Sequence, residues 1–235
     1  MTHRIFLPWV LLLLLQVSAL AQDAIPPKPG YCKPCLFYGG DYRNTSDSSG
    51  LANEEDMIVS KAEVLVPFDV PKTEQWKAIG LFTNDLSNVD VLDPQKAAWS
   101  ISTGVTEGKC GPALVSGNSH ATFKPTGRSE FGDKEYTTLV KIKAVQLQPG
   151  RYWLTTVPEC TQGSGCTSAR YFVSAFEGKP LDPFGPPEPC SKYYLDSKFF
   201  GANCVRVVGK GCSRVSAGVL GTKLAGDALL DADGK

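Results

Sequence analysis

Histidine is the scarcest chemically useful residue in this chain: 235 residues hold only His3 and His120. Imidazole is the commonest general base and metal ligand near neutral pH, so its near absence removes most Ser-His-Asp, Cys-His and His-metal chemistries. Net charge is missing too. Lys plus Arg number 24 and Asp plus Glu number 24, which leaves no field to gather phosphates. Nucleic acid, or an anionic membrane surface, is therefore excluded as the main partner. Charged residues make up 20% of the sequence and hydrophobic ones 42%, so wholesale disorder is excluded as well. Helical periodicity is almost absent, and beyond residue 21 no apolar run is long enough to span a bilayer.

What is present begins with a segment that reads as an address. Met1–Arg4 carries one positive charge, Ile5–Val17 is a nearly unbroken apolar run, and Ala19-Leu20-Ala21 supplies small residues for cleavage. This is the pattern of a secretory signal peptide over residues 1–21. The run falls short of the roughly 20 apolar residues of a membrane span, and Pro8 interrupts it, which disfavours an uncleaved anchor. Cleavage after Ala21 takes away His3 and Arg4, leaving His120 as the sole histidine and 23 basic against 24 acidic residues. No cysteine follows the site directly, so lipid attachment is not indicated. The expected location is secreted or extracytoplasmic, in the periplasm or outside the cell.

All eight cysteines lie beyond the signal: Cys32, Cys35, Cys110, Cys160, Cys166, Cys190, Cys204 and Cys212. An even number in an exported chain reads as a disulfide framework. Eight cysteines allow 105 connectivities, so spacing does not fix the pairing. The flexible Thr161–Gly165 segment makes Cys160 with Cys166 the best local closure. The last three cysteines are expected to pair among themselves or with Cys110.

Residues 22–35 are Pro-rich and aperiodic, an extended lead-in, and Asp41–Asn53 reads as a loop. Then the period changes to two. Ala62, Val64, Val66, Phe68 and Val70 alternate with Glu63, Leu65, Pro67 and Asp69, a strand with one buried face, in which Pro67 suggests an edge or bulge. Trp76–Phe82 is a further apolar stretch, followed by a turn-rich Thr83–Asn88. Ala97, Trp99 and Ile101 alternate again. Further β-type runs lie at Ala113–Val115, Ala121–Phe123, Tyr136–Leu147, Arg151–Val157, Ala169–Phe176, Cys204–Val208 and Val215–Leu220, and Pro149-Gly150 marks a turn between two of them. Many short strands at regular spacing predict an all-β fold, an antiparallel β-sandwich or jelly roll stabilised by disulfides. Residues 36–221 are expected to form that single domain, with a Pro-rich loop at 179–189 and a C-terminal tail at 222–235. No anchor or sorting motif is expected in the tail.

Each candidate for chemistry has a plainer alternative. Cys32-Lys33-Pro34-Cys35 is a C-x-x-C, but the helix that would lower the first thiol's pKa is not indicated, so a structural disulfide is preferred to redox catalysis or zinc. His120 follows Ser116-Gly117-Asn118-Ser119 and reads as a solvated turn residue. No G-x-S-x-G elbow exists, and Gly163-Ser164-Gly165 lies between two cysteines expected to be bonded. Glu130, Asp133 and Glu135 read as a solvated charge run in a loop. Asp227, Asp231, Asp233 and Gly234 resemble the start of a calcium loop without its bidentate Glu. Among the aromatics, Trp76 and Trp99 belong in the core, while Trp153, Tyr193 and Tyr194 are the candidate ligand-binding residues. No catalytic residue, metal ligand or cofactor is assigned.

Ala98-Trp99-Ser100-Ile101 followed by Thr103-Gly104-Val105, then Pro125–Arg128, Tyr136-Thr137, Leu147–Leu154 (LQPGRYWL) and Arg170-Tyr171-Phe172 together form a recognisable pattern. It resembles a group of exported bacterial β-sandwich proteins similar in style to those with PEP-CTERM sorting tails, over roughly residues 36–176. The resemblance implies fold and export, and its motifs are structural. The terminal Pro-Glu-Pro motif and membrane helix of the sorted members are missing here, so anchoring of that kind is not expected. The function these readings suggest is an exported, non-enzymatic binding or cell-surface module directed at an extracellular polysaccharide or surface component. A carboxylate-based, glycosidase-like hydrolase is the alternative, because that chemistry needs only two acids at the right separation. A purely structural envelope role is the third.

Overall fold

A computed structural model describes residues 35–40, 49–52, 62–87, 96–130, 132–159, 171–177, 194–197, 202–206 and 213–224. No helix occurs among the described residues, so none is long and apolar enough to cross a membrane. The strands are β1 (Cys35–Tyr38), β2 (Ser49–Ala52), β3 (Ala62–Val70), β4 (Gln75–Ser87), β5 (Lys96–Ser102), β6 (Ala113–Glu130) and β7 (Asp133–Leu147). They continue with β8 (Gly150–Glu159), β9 (Tyr171–Glu177), β10 (Tyr194–Ser197), β11 (Ala202–Arg206), β12 (Ser213–Val215) and β13 (Ala217–Leu224). Their order in the sheet is β1-β13-β4-β7-β6-β5-β8-β3-β10-β11, with β9 paired to the end of β4 and to β2 and β12.

The neighbouring strands pair antiparallel, and the sheet curls through β6. That strand opposes β5 with Ala113–His120 and then β7 with Ala121–Glu130. The hand-over carries the β5-β8-β3 part back toward β4 and β13. Phe68 of β3 consequently stacks on Trp76 of β4 at 6.2 Å and on Phe37 of β1 at 5.7 Å, although these strands are remote in the sheet order. The period-two residues Val64, Val66, Phe68 and Val70 lie in this main apolar cluster with Trp76, Trp99 and Leu154, as expected for the two tryptophans. Val215, Ala217 and Val219 join the same cluster. Close approach is built in at Gly218, which sits between Tyr38 and Phe82 in register. A Cβ there would meet the Phe82 ring at 2.5 Å.

Four expectations about local structure are corrected. First, the Asp41–Asn53 loop contains β2, and Cys35, placed in the lead-in, already starts β1. Second, Ala113–Val115 and Ala121–Phe123 are one strand. Third, β3 buries both faces, Leu65 and Pro67 included, because a second apolar cluster covers the side turned away from the main core. Pro67 is still tolerated, since β10 pairs only Ala62–Leu65 and the chain beyond needs partners from β8 alone.

Fourth, the turn-like Thr83-Asn84-Asp85-Leu86-Ser87 is the interior end of β4. Its polar side chains are paired inside the sheet. Asp85 accepts from Thr83 at 2.8 Å and from Thr138 at 2.7 Å. Asn84 accepts from Thr137 at 2.6 Å and donates to Ser216 at 2.7 Å, and Ser216 in turn donates to the Gly40 carbonyl at 2.7 Å. A composition that signals a turn in water is stable in a strand once neighbouring strands supply every partner.

Candidate functional site

The β5–β6 connection is a small hairpin. Thr103 N–H donates to the Pro112 carbonyl at 3.1 Å at its base, and Thr106 and Lys109 exchange both backbone bonds at 2.9 Å around Glu107-Gly108. Gly104 and Gly111 flank it with φ of 65° and 67°, left-handed values that favour glycine. The hairpin is fastened to β11. Cys110 is bonded to Cys204 across 94 residues, with 5.1 Å between Cα atoms. Gly108 N–H donates to the Cys204 carbonyl at 3.2 Å, and Asn203 Nδ2 donates to the Gly108 carbonyl at 2.9 Å. The pairing is one of those the cysteine spacing allowed.

Beneath the hairpin lies the second apolar cluster: Leu65, Val105, Trp153, Tyr194 and Cys204, with Cys110 packed against it. The strand registers explain the grouping. Pro67 faces Trp153 across β3–β8, and Tyr194 and Asp196 face Leu65 and Glu63 across β3–β10. In an antiparallel pair, opposed residues share a face, so Glu63, Leu65, Trp153, Tyr194 and Asp196 all rise from the side of the sheet opposite the main core. Two of the three candidate ligand residues therefore meet here. Trp153 is 8% exposed and Tyr194 7%, so their rings are covered in this state. Tyr193 lies outside the described residues.

Two polar atoms on this face of β8 are unmatched, the Trp153 indole N–H and the Thr155 hydroxyl. Both are buried and have no hydrogen-bond partner. At the cluster's margin, burial pushes the Glu63 carboxyl above the usual carboxylate range. Asp196 directly opposite adds to the rise. An Asp196 carboxylate oxygen lies within 4.8 Å of the Cys110 and Cys204 sulfurs. Those sulfurs are bonded to each other, so neither is a thiolate that would ligate a metal. Sequence reasoning singled out Trp153 and Tyr194 but missed Glu63 and Asp196. Only the β3–β10 register, linking positions more than a hundred residues apart, pairs the two acids.

The other candidates fall elsewhere. Cys35 is disulfide-bonded and starts a strand rather than a helix, so it lacks the helix-terminus environment of a redox C-x-x-C. His120 is an exposed strand residue opposite Lys96, not a turn residue. Ser119 beside it accepts from the Trp99 indole at 2.9 Å. Glu130 and Asp133 face each other at the β6–β7 hairpin, but Glu135 is a correction. It is 0% exposed, ion-paired with Arg128, and accepts from Thr126 at 2.6 Å. The β-strand period turns Glu135 inward, where these partners offset the cost of burying it. Cys32, Cys160, Cys166, Cys190, Cys212, the Gly163–Gly165 segment and the acidic Asp227–Gly234 segment lie outside the described residues.

No protein-family model matches the sequence, and no curated protein matches it.

Proposed function

We propose that the chain is an exported, non-enzymatic binding or cell-surface module, and that its ligand is an extracellular polysaccharide. The observation carrying this reading is the convergence of Trp153, Tyr194, Glu63 and Asp196 on one face of the sheet, away from the main core. Aromatic rings offer apolar faces to the C–H surfaces of sugars, and carboxyls accept from hydroxyls. The Cys110–Cys204 bond is in keeping with an oxidising, extracytoplasmic location, as is the resemblance to exported bacterial β-sandwich proteins. Glycan-array binding followed by tryptophan fluorescence titration tests the reading. Saturable binding to a polysaccharide supports it, and no response to any polysaccharide refutes the carbohydrate ligand.

A second reading has one observation in its favour. Glu63 and Asp196 are opposed across β3–β10, and Glu63 is held toward its neutral form. Opposed strand residues have Cβ atoms about 4.5–5.5 Å apart, close to the about 5–5.5 Å that separates the carboxyls of retaining glycosidases. In a hydrolase Glu63 would act as the general acid and Asp196 as the nucleophile. Release of reducing ends that Glu63→Gln and Asp196→Asn each abolish would establish this reading. Binding without hydrolysis would eliminate it.

A further inference from the structure

We infer that the Thr103–Pro112 hairpin is a hinged cover over a binding site for a neutral polyhydroxylated ligand, with Trp153, Tyr194 and Glu63 as its floor. The inference rests on the proposed carbohydrate reading and adds to it where the ligand sits and what controls entry.

Three features meet at this place. The floor holds the buried Trp153 indole N–H without an acceptor. A buried donor left unmatched destabilises the closed arrangement, and a ligand oxygen would match it. Glu63, with Asp196 opposite, supplies carboxyl oxygens on the same face. The indole donor and the carboxyl acceptors share this face at a distance, Glu63 standing four residues along β3 from Pro67, which faces Trp153. A ligand spanning them must accept at one end and donate at the other, and a chain of sugar hydroxyls does both.

The cover is built to move as a unit. Its own backbone bonds hold Thr106 to Lys109, and its two ends pass through Gly104 and Gly111, where the lack of a side chain leaves the backbone dihedrals unrestricted by a Cβ. Val105 is its buried apolar side chain in the cluster, 3% exposed, and the tethered Cys110 packs against the cluster's edge. The tip is held to β11 by two hydrogen bonds, from Gly108 N–H and from Asn203 Nδ2. The Cys110–Cys204 bond tethers the hinge-side end and limits how far the cover travels. Lifting the tip gives up the two bonds and the packing of Val105, a smaller change than unfolding any strand. The ligand therefore pays for opening by selecting a minor open state, and its apparent Kd is raised by the scarcity of that state.

Asn203→Ala weakens the tip without touching the floor. Isothermal titration of the oxidised protein with cellohexaose, xylohexaose and chitohexaose should show the bound sugar gripped about 3–10-fold more tightly by this variant than by wild type, one neutral hydrogen bond being removed from the closed state. Trp153→Phe keeps a ring but deletes the N–H, and should lose at least 10-fold in affinity while its urea midpoint shows no loss of a hydrogen bond. Hydrogen exchange on the wild type gives a check that needs no variant: the Gly108 amide should exchange faster in the sugar-bound protein. Sugar binding that neither variant alters, with Gly108 exchange unchanged, places the ligand elsewhere and overturns the cover, leaving the carbohydrate reading intact. No binding of any sugar by wild type or Asn203→Ala overturns both.

Discussion

Asp85→Ala is the sharpest test of how a turn-like sequence came to lie inside a strand. Asp85 is 0% exposed and accepts from the Thr83 hydroxyl at 2.8 Å and the Thr138 hydroxyl at 2.7 Å. Removing the carboxylate strands the Thr138 hydroxyl in the interior, while Thr83 keeps the Thr156 carbonyl, 3.1 Å away, as its acceptor. A hydrogen bond to a charged acceptor contributes about 1.5–3 kcal/mol, and with Thr83 still satisfied the loss is that of the one Thr138 bond. Part of this is returned because a buried charge is no longer desolvated, so the lower end, about 1.5 kcal/mol, is the expected net cost. For a domain of this size that corresponds to a Tm lower by about 3–6 °C. Urea unfolding with the disulfides kept oxidised measures it, and the slope should be unchanged because the same surface is exposed. A double-mutant cycle with Thr138→Val isolates one arm of the network, with an expected coupling of about 1.5–3 kcal/mol. An Asp85→Ala cost under about 1 kcal/mol, or strict additivity with Thr138→Val, would refute the argument that paired burial keeps this segment in a strand.

Further outcomes follow from the same geometry. Glu135→Ala leaves the Arg128 guanidinium buried and should cost about 3–5 kcal/mol. The double variant Arg128→Met with Glu135→Leu should recover much of that loss, and calorimetry showing the single variant no worse than the double would contradict it. Gly218→Ala drives a methyl into the Phe82 ring, 2.5 Å from the ideal Cβ, and should lower stability by about 1–3 kcal/mol of overpacking strain, read as a lower urea midpoint. Glu63 has a folded-state pKa raised above the ordinary 4.5, so the folded protein holds its proton more tightly than the unfolded chain. Its contribution is complete below pH 4.5 and is lost as pH rises through the higher folded value. Glu63→Gln should therefore flatten this decline above pH 4.5 and exceed wild type in stability once the pH is above the raised folded value. Parallel midpoint-against-pH curves for the two proteins would count against that assignment.

Composition and period carried the fold class, because they are local properties. The alternation from Ala62 to Val70 marked β3 residue for residue, since a strand with an apolar face writes its period into the sequence. Trp76 and Trp99 read as core for the same reason. Tertiary structure decided the remainder. Thr83 to Ser87 carries turn residues, and only the strands on either side, with Thr137, Thr138 and Ser216, make them stable in a sheet. Glu135 looks like a solvated charge until Arg128, seven residues away, is folded back onto it. The candidate site was half legible: Trp153 and Tyr194 stood out as aromatics, but Glu63 and Asp196 are ordinary surface-type residues in the sequence. Their opposition depends on the β3–β10 register and the hairpin's fastening on a bond spanning 94 residues, and long-range pairing leaves no local trace in the chain.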